Sequence, residues 1–155
     1  MRNTLTPLGV LASGEMVYDR PNSHLHAEVS GLLPEIFANL SSGEERFITY
    51  EHDFGRIVGN NYCVATNSGD TIIWAYRPKR QGPTRFVVNR RPEPSSTAVV
   101  ILKKDDYEPY YILITAFIGR LSGPEPWDPR ATEVDQEFWG SHALIWGSES
   151  VVALA

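Results

Sequence analysis

The side chains here that can move a proton or grip a phosphate are four histidines and a cluster of arginines. Histidine titrates near neutrality, which makes it the usual general acid or base. His26 sits at the flank of an apolar helical stripe, near the angular position of Leu33 and Phe37. It reads either as a packed or capping histidine or as an acid–base group. His24 points to the other side of the stripe and is the weaker candidate. His142 follows a second helical segment. It is a turn histidine by default, and a second acid–base candidate if the C-terminal segment folds back over the sheet. Arginine offers paired donors suited to phosphate oxygens. Arg77 and Arg85 are the central candidates, and Lys79, Arg80, Arg90 and Arg91 are flanking phosphate contacts. Thr115 is the polar exception in the aliphatic run ILITAF. A strand threonine is usually structural, yet beside the arginines its hydroxyl could meet a phosphate.

Several chemistries are excluded. His26-Ala27-Glu28 matches the first half of the zinc deaminase signature, whose second half needs two further cysteines. Cys63 is the one cysteine in the chain, so that half cannot exist, nor can an internal disulfide. The sequence contains no HExxH, GxGxxG, P-loop or GxSxG motif. His24 and His26 diverge by about 200° on a helix and make a poor metal pair. No metal and no cofactor is expected.

Charge is distributed unevenly. Between Arg77 and Lys104 lie eight basic residues (Arg77, Lys79, Arg80, Arg85, Arg90, Arg91, Lys103, Lys104) and one acid, Glu93, for a local charge of +7. The other six basic residues face eighteen acids, −12, which gives the chain its net −5. Such a field has a direction and points at a polyanion.

These residues need elements to hold them. Residues 1–22 are punctuated by proline and glycine and read as an irregular N-terminal arm, with residues 23–155 a single domain. Ser23 reads as an N-cap. Leu25, Val29, Leu32, Leu33, Ile36, Phe37 and Leu40 fall on one helical face. Gly31 and Pro34 predict a kink or break near Leu33. Arg46–Tyr50 is a short strand candidate. TIIWAY (71–76), RFVVN (85–89), TAVVIL (97–102) and YYILITAF (110–117) are β-branched or aromatic runs at spacing suited to an antiparallel meander. Period two puts Arg85, Val87, Asn89 and Arg91 on one face, with Phe86, Val88 and Arg90 on the other. It puts Arg77 with Ile73 and Ala75, and Thr115 with Tyr111, Leu113 and Phe117. Residues 119–130 must be a loop, and Thr132–Trp139 a second short helix near the C-terminus. The expected fold class is α+β: an N-terminal helix packed on an antiparallel meander sheet of four to five strands.

At 155 residues and 42% hydrophobic content the chain can bury a core without staples. The N-terminus lacks a signal pattern, and no stretch reaches about 18 apolar residues. The expectation is a soluble, cytoplasmic protein with no membrane partner. Its oligomeric state is open.

The order of these elements resembles the barnase/EndoU/colicin/RelE-like (BECR) superfamily of ribonucleases, many of them toxin or phage-encoded. A helix bears a histidine, strands bear Arg and Lys, and a final strand carries Thr in an aliphatic run. The stretches that carry the likeness are DTIIWAYRPKRQGPTRFVVNRRPEPSSTAVVILKKD and YYILITAFIG, within Leu25 to Gly119. The resemblance implies metal-independent RNA cleavage in which the 2′-hydroxyl attacks the adjacent phosphate. It maps the helix histidine to His26, the strand cations to Arg77, Arg80 and Arg85, and the hydroxyl to Thr115. His142 is not part of the resemblance and is added as the complementary acid or base. RNA is then the substrate. The acidic remainder would restrict it to particular RNAs or meet a basic partner such as an antitoxin or immunity protein. The alternatives are a non-catalytic module that binds RNA or another polyanion on the same face, and an interaction protein using Trp74, Trp127, Trp139 and Trp146.

Overall fold

The computed structural model describes residues 4–21, 25 and 27–147. His24, His26, the expected cap Ser23 and the tail from 148 onward lie outside the described residues. Along the chain come β1 (Thr6–Val10), β2 (Met16–Asp19), α1 (Ala27–Ser30), α2 (Leu33–Ala38), β3 (Phe47–Asp53), β4 (Gly59–Asn61) and β5 (Cys63–Ala65). There follow β6 (Ile72–Ala75), β7 (Thr84–Val87), β8 (Glu93–Ser95), β9 (Thr97–Lys104), β10 (Tyr111–Ile118), α3 (Glu133–Ser141) and β11 (His142–Ile145). The class is mixed α+β with strands predominant, in three sheets.

Strands come first, not a helix. The N-terminal segment holds a β1–β2 hairpin where an irregular arm was expected. Its local signal is weak because β1 is an edge strand and carries Pro7, which an edge tolerates. The hairpin gains its place from a parallel pairing of β2 with β10, Tyr111 opposite Val17, a partner 94 residues away. No local pattern announces such a pairing. The meander is corrected for the same reason. β6–β7 and β9–β10 are antiparallel hairpins as their spacing suggests, but they belong to different sheets.

Two compact units follow. The first comprises residues 1–59 and 95–120, the second residues 60–94 and 121–155. The first carries the five-stranded sheet β1-β2-β10-β9-β3. α1 and α2 pack against it, burying Val29, Leu33, Ile36 and Phe37 with Val17, Val100, Leu102, Tyr111 and Leu113. The expected single helix is broken into these two, and Pro34 stands in the first turn of α2, where its missing N–H costs nothing. Gly9 lies against Phe37. A Cβ there would stand 2.9 Å from the ring, so glycine permits β1 to approach α2.

The second unit carries the four-stranded sheet β5-β11-β7-β6. Val64, Val87, Ala143 and Ile145 form its apolar cluster. α3 begins at a capping box. Thr132 Oγ1 accepts from the Asp135 N–H, while the Asp135 carboxylate accepts from the Thr132 N–H. β11 follows α3 directly and pairs parallel with β7, Leu144 opposite Phe86. β4 and β8 form a two-stranded ladder.

Candidate polyanion interface

The strand registers sort the second unit's side chains by face. Trp74 stands opposite Arg85, Ile73 opposite Phe86, Ile72 opposite Val87 and Ala75 opposite Thr84. Ile145 stands opposite Val87 and Leu144 opposite Phe86. One face therefore bears Ile72, Trp74, Arg85, Val87 and Ile145. The other bears Ile73, Ala75, Thr84, Phe86 and Leu144, and by period two also Arg77 and His142.

Arg77 and Arg90 are held by acids. Arg77 Nη2 donates to Glu125 Oε2 at 2.6 Å and its Nε to Thr84 Oγ1 at 3.1 Å. Both partners of the ion pair are largely buried, with side chains 16% and 8% exposed. Arg90 donates to Asp70 Oδ2, Glu93 Oε2 and the Ala65 carbonyl. Charges enclosed in this way are spent within the fold, since each cation offsets the burial of a carboxylate.

Arg85 is half-buried and differently placed. Its Nη1 donates to Thr66 Oγ1 at 3.0 Å and to the His142 carbonyl at 2.9 Å. No carboxylate pairs with it among the described residues, and Nε and Nη2 carry three further donors. Arg85 thus meets His142 at the backbone, but the imidazole leaves the opposite face of the sheet. That ring stacks on Phe138, with centroids 3.9 Å apart and planes 7° from parallel. Its Nδ1 lies 2.9 Å from the Phe138 carbonyl. A carbonyl only accepts, so Nδ1 carries the hydrogen and a neutral ring has its lone pair on Nε2.

The edge strand β6 runs into a turn rich in charge. The Arg80 N–H donates to the Arg77 carbonyl, closing Arg77-Pro78-Lys79-Arg80. Proline at the second position and a φ of 61° at Lys79 are the marks of a type II turn. Glycine or asparagine is the residue such a turn prefers at its third position, so Lys79 holds a left-handed conformation against preference. Lys79, Arg80 and Arg91 are exposed and have no ion-pair partner among the described residues.

Thr115 belongs to the first unit, and a β-bulge re-aims it. Leu113 pairs with Leu102 but Thr115 pairs with Ile101, so Ile114 is the extra residue. The parity of β10 switches there. Tyr111, Leu113, Ala116 and Ile118 all join the core under the helices, whereas Thr115 and Phe117 face away. Simple alternation had grouped Thr115 with Tyr111 and Leu113, and the bulge overturns that grouping. On the same outer side lies a groove of about 480 Å³ lined by Leu5, Arg20, Lys103, Lys104, Tyr110 and Ile114, among others. Asp105 and Asp106 also line it, but Asp106 pairs with Arg46 and Asp105 accepts the N–H groups of Tyr107 and Glu108. Lys103 and Lys104 have no ion-pair partner among the described residues.

Sequence reasoning passed over two kinds of residue. The acids Asp70 and Glu125, which neutralise the arginines, carry no signal because their contacts are long-range. Tyr76 is the other: it is 42% exposed beside the basic turn and near Trp74, which the sequence offered only as a protein-contact residue and which is 54% exposed. The alternation Trp-x-Tyr running into Pro-Lys-Arg would have pointed to this pair. Burial holds the Cys63 thiol up at about 12. Among the described residues no cluster of His, Cys, Asp or Glu is placed to hold a metal ion. Among the same residues no helix is long and apolar enough to cross a membrane. Comparison with family models, curated proteins and solved structures finds no match to this chain.

Proposed function

We propose that the protein is a non-catalytic module that binds RNA through its unpaired cations. One observation carries this reading, the division of the basic block. Acids neutralise Arg77 and Arg90, while Lys79, Arg80, Arg91, Lys103 and Lys104 have no ion-pair partner among the described residues. Cations that neutralise backbone phosphates release condensed counterions, so affinity falls as salt rises. Titrating a labelled single-stranded RNA between about 50 and 200 mM salt should give a log–log slope near −0.7 for each phosphate neutralised. An affinity independent of salt rejects the reading.

A second reading is a BECR-like, metal-independent endoribonuclease, and the pinned tautomer of His142 favours it. With Nδ1–H held by the Phe138 carbonyl, Nε2 is free to take a proton from a 2′-hydroxyl. Of the cations the resemblance names, Arg77 is held by Glu125 and Arg85 leaves the opposite face of the sheet, so neither serves this imidazole. Cleavage of RNA in EDTA that His142→Ala and His26→Ala each abolish would support it. Intact RNA at high protein concentration rejects it.

A further inference from the structure

We infer that the β6 edge of the second unit is a stacking platform for single-stranded RNA. The inference rests on the RNA-binding reading and specifies its ligand as unpaired bases, not merely phosphate. Trp74 lies in β6 and Tyr76 follows directly after the strand's end, two residues on. β6 is the outermost strand of its sheet, and both rings are unusually exposed for their size, at 54% and 42%. Exposed aromatic surface next to cations is the kind of surface that a ligand covers. Charge says which. Arg85 stands directly across from Trp74 on the same face, and among the described residues it is anchored through Nη1. The turn carrying Lys79 and Arg80 follows Tyr76 along the chain.

Rings set beside cations suit a single strand. Each base offers a π-face to an aromatic ring, and each phosphate meets a cation. Duplex RNA keeps its bases stacked inside and can satisfy only the cations. Arg85, held in place by Thr66 and the His142 carbonyl, loses little freedom when it adds a phosphate through its remaining donors. A hydrophobic partner protein would be poorly served by a border that carries Lys79 and Arg80, both exposed.

The test compares three probes of similar charge by anisotropy and tryptophan fluorescence: a single-stranded oligonucleotide, a duplex of the same sequence and inorganic polyphosphate. The single strand should bind most tightly and quench fluorescence. Trp74→Ala should weaken it about tenfold, the scale of one base–aromatic stack. That variant should leave polyphosphate binding unchanged, and Trp74→Phe should restore most of the loss. A circular dichroism spectrum matching the parent establishes that Trp74→Ala is folded. If Trp74→Ala weakens both ligands alike, or neither, or if duplex binds as well as single strand, the platform is wrong while the RNA-binding reading stands. If no probe binds the parent protein, both fall. A dimer seen by light scattering that Trp74→Ala dissolves, with RNA binding unchanged, assigns the patch to protein contact and overturns the inference.

Discussion

Lys79 holds a conformation that its side chain disfavours, at a position where glycine would be at ease. A left-handed non-glycine residue costs about 1–2 kcal/mol, and glycine returns part of that through the larger entropy of its unfolded chain. Lys79→Gly should therefore raise stability by less than about 1 kcal/mol in urea denaturation while weakening RNA binding. Opposite effects on stability and affinity are the signature of strain kept for function. A loss of stability on this substitution would mean that Lys79 is structural. Arg77 shows the reverse case. Its donors meet Thr84 and the buried Glu125, so it serves the fold before any ligand.

Elements here are set by pairs of signals of unequal range. α3 is local. Its capping box and the following apolar residues lie within one sequence window, and the helix expected over Thr132–Trp139 is found at Glu133–Ser141. Thr132→Ala removes the hydroxyl that receives the Asp135 N–H, which should cost about 1 kcal/mol of stability. Thermal unfolding would measure this, and an unchanged midpoint would show that β11 and not the cap holds the helix. The strands β6, β7, β9 and β10 were legible because β-branched runs alternate with turns. Their sheet membership was not, because β2/β10 and β7/β11 pair parallel across long separations. The bulge at Ile114 was hidden too. One extra residue leaves composition unchanged but reverses which way Thr115 points. Of the candidate site, the basic block could be read from the sequence, but its division into paired and unpaired cations could not.

At the scale of the whole molecule, titration bounds the pH range of the fold. Hydrogen bonds lower several carboxyls: Glu15 by Ser13 and Ser42, Glu35 by Arg56, Asp53 by the Gly55 N–H, and Asp128, to about 2, by Arg130. A lowered folded value means stability that is full above the ordinary carboxylate range and lost as pH falls toward about 2. Cys63 works from the other side. Desolvation raises its thiol from 9.0 to about 12, so its contribution is full below 9.0 and lost as pH rises toward about 12. Urea midpoints across pH should thus decline at both extremes, and Cys63→Ala should flatten only the alkaline limb. An alkaline limb that survives in this variant would assign it to other groups.

RNA binding by unpaired cations on this net-acidic chain is what we propose. Its most direct test is the salt dependence of single-stranded RNA affinity for the parent protein and for a Lys79→Ala/Arg80→Ala double variant. Removing two phosphate contacts should make the log–log slope shallower by about 1.4 and weaken binding most at low salt. An identical slope in both proteins, or binding that ignores salt, would contradict the account.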